Sequence, residues 1–144
     1  VIRRHRLIEL FLVKTLDLTW DEVHEEAENM EHAVSDMLVD RIDEFLGRPD
    51  HDPHGDPIPK ADGTVSTNDG ELLASIQQGS TVRLIRVLDQ HPDFLRFLSG
   101  SGFGIGAEAV VAARHEADSL RLRLNDNLVT ISLAEAERLV VELV

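Results

Sequence analysis

The stretch HEEAENMEH, residues 24–32, puts two histidines and four glutamates into nine positions. The flanking pattern predicts an amphipathic helix here. With about 100° of rotation per residue, His24, Glu28, Glu31 and His32 fall within a stripe of about 100°. Val23, Ala27, Met30 and Val34 fall on the neighbouring stripe. Such a helix has a packing face and, beside it, a face of imidazoles and carboxylates. Two readings compete. A face rich in His and Glu is most often a solvated surface, and composition alone favours that. The alternative is a divalent-ion site, because neutral imidazole and carboxylate are ligands for first-row ions, and carboxylate-rich sets without thiolate lean toward harder ones.

The surroundings sharpen the second reading. Residues 3–16 predict a preceding helix, on which His5 and Glu9 lie four residues apart and therefore on one face. Thr19 followed by Glu22 is a capping-box pattern that starts the second helix, expected to run to about Val34. Ser35 or Asp36 can cap a third, SDMLVDRIDEFLG, stopping at Gly47. Two helices joined by a short turn pack antiparallel, so their His/Glu faces can meet. The next segment holds four of the five prolines and offers Asp52 and His54 in HDPHGDP, stiffened by the proline between them. His51, His91 and His115 read as ordinary surface residues. HEEAE is half of a zinc-peptidase HExxH helix, but Glu28 stands where the second His belongs. No Glu lies three residues before His32, so the di-iron ExxH pattern is also missing.

From Thr81 the texture changes to short alternating runs: TVRLIRVLD, IGAEAVVAARHEA, SLRLRLN, LVTISL and VVEL. HPDFLRFLSGSG reads as a short helix, ELLASIQQGS as a helical turn or strand, AEAERL as one turn, and Asp126-Asn127 as a hairpin turn. The expected architecture is α+β: three helices over 1–47, a loop or linker over 48–80, and a small SH3-like β-barrel over 81–144. The barrel shows no aromatic groove, since aromatics are 4% of the chain and Tyr is absent, which argues against a polyproline-binding module.

Composition sets the outer limits. The chain has 144 residues, 42% hydrophobic and 28% charged, enough for a core. It contains no Cys, so neither disulfides nor thiolate ligands enter. No apolar run approaches the roughly 18 residues of a membrane span. The expected setting is cytoplasmic, without a membrane partner. A net charge of −13 argues against binding a phosphate backbone and suits cations. The first residue is Val, inside a helical pattern, which suggests a fragment lacking an N-terminal part.

Arg4-His5-Arg6-Leu7 with Glu9, then DEVHEEAENMEHAVSD, then HGDPIP, resemble the diphtheria toxin repressor and MntR family of metal-dependent transcriptional repressors. The likeness spans almost the whole chain and implies a helical dimerisation domain followed by a FeoA-like barrel. It implies that Glu28, Glu31 and His32 belong to a primary, activating metal site, completed by a residue of a winged helix-turn-helix domain that this chain lacks. It further implies that His5, Glu9 and His24 form an ancillary site. In some manganese-type members a loop pair and an acidic barrel residue join that site, and Asp52, His54 and Asp89 fit, with Gln90 and Asp93 as competitors for the last. Iron-type members carry Cys where this chain has Glu28, so the resemblance points to Mn²⁺, with Fe²⁺ as the alternative. It also implies a homodimer, and operator DNA bound through the absent domain. The apolar stripe of Val23, Ala27, Met30, Val34, Leu38, Ile42 and Phe45 is the expected dimer interface. Outside the resemblance stand a metal-dependent hydrolase built on the His/Glu cluster, for which no nucleophile constellation is visible, and a metal-free interaction module.

Overall fold

The structure is a computed structural model that describes residues 2–64, 70–115 and 119–144. The expected linker residues 65–69, and residues 116–118 after the strand Glu108–His115, lie outside the described residues. The chain divides into two compact units, 1–67 and 68–144.

In the first unit, α1 (Ile2–Leu16), α2 (Val23–Glu31) and α3 (Asp36–Phe45) follow the apolar periodicity. Leu7, Ile8, Leu10 and Leu12 of α1 pack with Val23, Ala27, Val39 and Ile42. Residues 50–58 fold back onto the helices, and Ile58 joins the same core. Before α2, half of the expected capping box forms. The Glu22 carboxylate accepts from the Thr19 N–H at 3.0 Å and from its hydroxyl at 2.7 Å, while the Thr19 carbonyl, not its side chain, accepts from the N–H groups of Glu22 and Val23. Ser35 caps α3 by accepting from the Leu38 N–H, and Gly47 takes φ +78 just beyond its end, a conformation that favours glycine.

Two expectations are corrected here. Helix α2 stops at Glu31, three residues before Val34, and His32 is its C-cap. The Arg4 guanidinium takes the carbonyls of Glu31 and Val34 and the Asp36 carboxylate, so this turn is held from α1 rather than by another helical turn. The apolar stripe also divides. Val23, Ala27, Val34 and Ile42 are core, whereas Leu38 and Phe45 remain 46% and 70% exposed. With Phe11 and Met30 they border an open groove of about 590 Å³.

The second unit is an antiparallel sheet in the order β1-β6-β2-β3-β4-β5. Its strands are β1 (Glu71–Leu72), β2 (Thr81–Val87), β3 (Glu108–His115), β4 (Ser119–Leu124), β5 (Asn127–Ser132) and β6 (Leu139–Leu143). Register irregularities in β2 and β3 are the devices that let such a sheet curl. Alternation is strict in β4, where Leu120, Leu122 and Leu124 are buried and Arg121 and Arg123 exposed. Helix α4 (Pro92–Gly100) follows β2, and α5 (Leu133–Ala136) starts from a complete capping box between Ser132 and Glu135. The β4–β5 hairpin turns at Asn125-Asp126, one residue earlier than expected. Asn127 already pairs with Leu124, and Asn125 supplies the positive φ of +56.

Candidate metal centre

One helical turn on α1 carries His5 and Glu9 on the side that meets α2. Burial of Val23 and Ala27 against α1 brings the adjacent His24 beside them. The His5 Nε2 lies 3.2 Å from His24 Nδ1 and 3.5 Å from Glu9 Oε2, and His24 Nδ1 is 3.6 Å from the same oxygen.

The loop after α3 completes the cluster from the other side. Asp52 Oδ1 accepts the backbone N–H groups of His54 and Asp56, each at 2.9 Å, and the Asp52 N–H donates to the Asp56 carbonyl. This side-chain-to-backbone turn wraps the chain around Asp52. Arg6 ties the loop to α1 by donating to the Pro57 carbonyl. His54 is fully buried, and its Nδ1 faces Glu9 Oε2 at 3.9 Å and Asp52 Oδ1 at 4.0 Å. Its other nitrogen, Nε2, sits 2.7 Å from the Trp20 carbonyl. A carbonyl only accepts, so Nε2 carries the proton and, in the neutral ring, Nδ1 carries the lone pair.

Two sets of potential ligands therefore converge, His5–Glu9–His24 and Glu9–Asp52–His54, with Glu9 common to both. A first-row ion bonded at roughly 2.1 Å keeps neighbouring ligand atoms roughly 3 to 3.6 Å apart; the outer set stands at 3.2 to 3.6 Å, and the inner set, with His54 Nδ1 3.9 Å from Glu9, would draw in slightly. Three atoms of the inner set, Glu9 Oε2, Asp52 Oδ2 and His54 Nδ1, are buried without a hydrogen-bond partner. Buried polar atoms are normally paired. Two carboxylate oxygens and an imidazole lone pair are acceptors with no shared donor, which is what a cation supplies, so the donor set fits one.

The electrostatics agree. Burial, then the charges of Asp56 and Glu9, push the Asp52 carboxyl up to about 8. Burial also pushes Glu9 upward, but His5, His54 and His24 outweigh it and leave Glu9 below its ordinary value. The Glu9 carboxylate beside it is the main cause that raises His5.

The residues expected for a primary site sit less converged. Glu31 Oε2 accepts from His5 Nδ1 at 3.1 Å, and Glu31 Oε1 lies 3.7 Å from His32 Nε2. Glu28 Oε1 lies 3.3 Å from His24 Nε2. The side chain of His32 is 89% exposed. Glu31 thus links His5 to His32. Asp89 belongs to the second unit, where its carboxylate accepts from Arg138 and from the His91 N–H. The His91 N–H and then Arg138 hold it below the ordinary carboxylate range. There Arg138 also lies over the Phe94 ring, and Asp93 pairs with Arg96.

Sequence reasoning missed Asp56, which is buried and charges the Asp52 environment, and Trp20. It also took His51 for a surface residue, whereas His51 Nε2 is shielded and unpartnered. The Asp-x-His-Gly-Asp spacing is a turn signal that pointed to Asp56. Nothing in the sequence pointed to the Trp20 carbonyl.

Residues 1–60 match the family described as "Iron dependent repressor, metal binding and dimerisation domain", and residues 72–143 match the FeoA domain. A solved manganese-dependent transcriptional repressor is 42% identical with a TM-score of 0.93, covering 99% of this chain and 78% of its own. An iron-dependent repressor of Mycobacterium leprae is 36% identical over 99 residues, 63% of this chain and 43% of that protein. A probable metal transport system membrane protein of Chlamydia trachomatis serovar D is 47% identical over 60 residues, 42% of this chain and 13% of that protein. The chain thus spans less than half the length of these two curated relatives. Among the described residues no helix is long and apolar enough to cross a membrane.

Proposed function

Because this chain belongs to the iron-dependent repressor family, carrying its metal-binding and dimerisation domain followed by a FeoA domain, we propose that it is the sensing and dimerising part of a manganese- or iron-dependent transcriptional repressor of metal-homeostasis genes. The observation that carries this reading is the set of three buried, unpartnered acceptors on Glu9, Asp52 and His54, beside His5 and His24. These five residues would hold a divalent ion, which supplies the positive charge that two buried carboxylates otherwise lack. His54 presents its Nδ1 lone pair, Glu9 serves both ligand sets, and the Asp52 turn keeps its free oxygen inward. Glu28, Glu31 and His32 are the proposed second site, completed from outside these 144 residues. Glu31 couples the two, since it contacts both His5 and His32. Asp89, paired with Arg138 within the second unit, is the remaining candidate ligand.

Manganese is favoured over softer ions because the donors are oxygen and nitrogen and the chain has no Cys. The ion would shift the repressor toward its DNA-competent arrangement only through different affinity for the two states. Operator contact is assigned to a region outside this chain, and the groove bordered by Phe11, Leu38 and Phe45 to a two-fold homodimer. The setting proposed is cytoplasmic, and no catalytic role is assigned. The likeness to part of a transport protein favours a second reading, a metal-responsive domain appended to a transporter. Calorimetric titration with Mn²⁺ tests the shared premise. Saturable binding that is lost in a Glu9→Ala, His24→Ala double variant supports it. Unchanged binding in that variant sinks the assignment of these ligands.

A further inference from the structure

We propose that Trp20 is a positioning residue for His54, holding the plane of the imidazole with its ring and the tautomer with its carbonyl, so that Nδ1 is presented as a lone pair toward Glu9 and Asp52. This rests on the metal-sensing reading for its purpose, but not for its geometry. Trp20 lies in the turn between α1 and α2, remote in sequence from the loop that carries His54. The two rings stack nearly parallel, 8° apart in plane, with centroids 6.1 Å apart. His54 Nε2 is 2.7 Å from the Trp20 carbonyl. Both contacts come from one residue, and together they restrict the two freedoms an imidazole ligand has. The stack limits rotation about the side-chain bond. The carbonyl decides which nitrogen is protonated.

Without that carbonyl the proton would be drawn to Nδ1, because His54 Nδ1 has only carboxylate neighbours. A proton on Nδ1 would satisfy Glu9 and Asp52 but would remove His54 from any ligand set. The Trp20 carbonyl holds the ring in the opposite state. Partners of this outer kind, which orient a ligating histidine through its second nitrogen, typically change metal affinity by 10- to 100-fold when lost.

The side chain keeps the carbonyl in place, so substituting it is informative. Trp20→Phe retains an aromatic face. Trp20→Leu fills space without one and replaces Trp20→Ala, which risks the fold. Two readouts are taken on the whole chain. The first is the pair of ¹⁵N shifts of the His54 ring in metal-free protein, and the second is calorimetric affinity for Mn²⁺ alone. The expected result is a single tautomer protonated at Nε2 in the parent and in Trp20→Phe. Trp20→Leu should show a mixture and an affinity for Mn²⁺ about 10-fold weaker. Parent-like shifts and affinity in Trp20→Leu would overturn the proposal while leaving the metal reading standing. A parent that binds no Mn²⁺, with His54 shifts that still depend on the ring at position 20, would sink the metal reading and keep the positioning role.

Discussion

Replacing Asp52 with Asn should stabilise the metal-free protein and weaken its metal binding at the same time. Asp52 has an ordinary carboxyl value of 3.8 when unfolded and about 8 in the fold. Between those values the native state keeps a proton that the unfolded chain has released. Stability therefore falls as pH rises through that window, with the full cost present above about 8. Four units at about 1.36 kcal/mol each set a ceiling of about 6 kcal/mol. Relaxation and water entry reduce such penalties in real interiors, and a realised cost of roughly 2 kcal/mol, complete at a correspondingly lower pH, is the working figure. His5 acts in the same direction above its ordinary 6.5, because its raised value makes its contribution present at low pH and lost as pH rises. Asparagine keeps an Oδ1 for the N–H groups of His54 and Asp56 and places an NH₂ where Oδ2 was, able to donate to His54 Nδ1. The assay is thermal unfolding followed by circular dichroism, in chelator, at pH 8 and at a pH below the ordinary 3.8. At roughly 4–8 °C per kcal/mol for a domain of 60–100 residues, Asp52→Asn should melt on the order of 10 °C above the parent at pH 8 and show little difference at low pH. Added Mn²⁺ at 100 times its Kd stabilises a binder by about 2.7 kcal/mol, so the parent should recover most of the gap and the variant should gain less. A gap between Asp52→Asn and the parent that is the same at both pH values, or no gain from Asn at pH 8, would refute the claim that burial and uncompensated charge govern this cluster.

The groove predicts a second outcome. Phe45 is 70% exposed and contributes little to the core of its own unit, so Phe45→Asp should convert a dimer to a monomer in analytical ultracentrifugation while moving the melting point of the monomer by only a degree or two; a parent that is already monomeric at tens of micromolar removes the proposed interface. The Asp89–Arg138 pair predicts a third. Arg138→Ala removes one of the two holds on the Asp89 carboxylate, so its titration followed by NMR should move up toward the ordinary 3.8, and an unchanged titration would assign the hold to the His91 N–H alone.

Much of this centre could be read from spacing alone. His5 and Glu9 share a face because four residues make about one helical turn, and the apolar positions Val23 and Ala27 dictate which side of α2 meets α1, carrying His24 with them. The strands of the second unit announced themselves through alternation, as in Leu120, Leu122 and Leu124. Local periodicity is enough where one face must be buried. It fails where a distant group decides the outcome. Helix α2 ends at Glu31, where Arg4, 27 positions earlier, takes the Glu31 carbonyl and, past the helix, that of Val34, and no helical pattern within 24–34 encodes that. The apolar stripe divides into core and groove because α3 turns only part of its face toward α1, leaving Phe45 edge-on to Phe11 at 6.2 Å. The joining of Asp52 and His54 to Glu9 depends on loop closure over more than 40 residues, fastened by Arg6 and Ile58. Residue type and spacing could nominate the ligands from sequence. Their burial, the unpartnered oxygens and the hold of Trp20 on His54 arise only when separate segments exclude water from one another, and that exclusion turns a row of ordinary carboxylates and imidazoles into a cluster needing a cation.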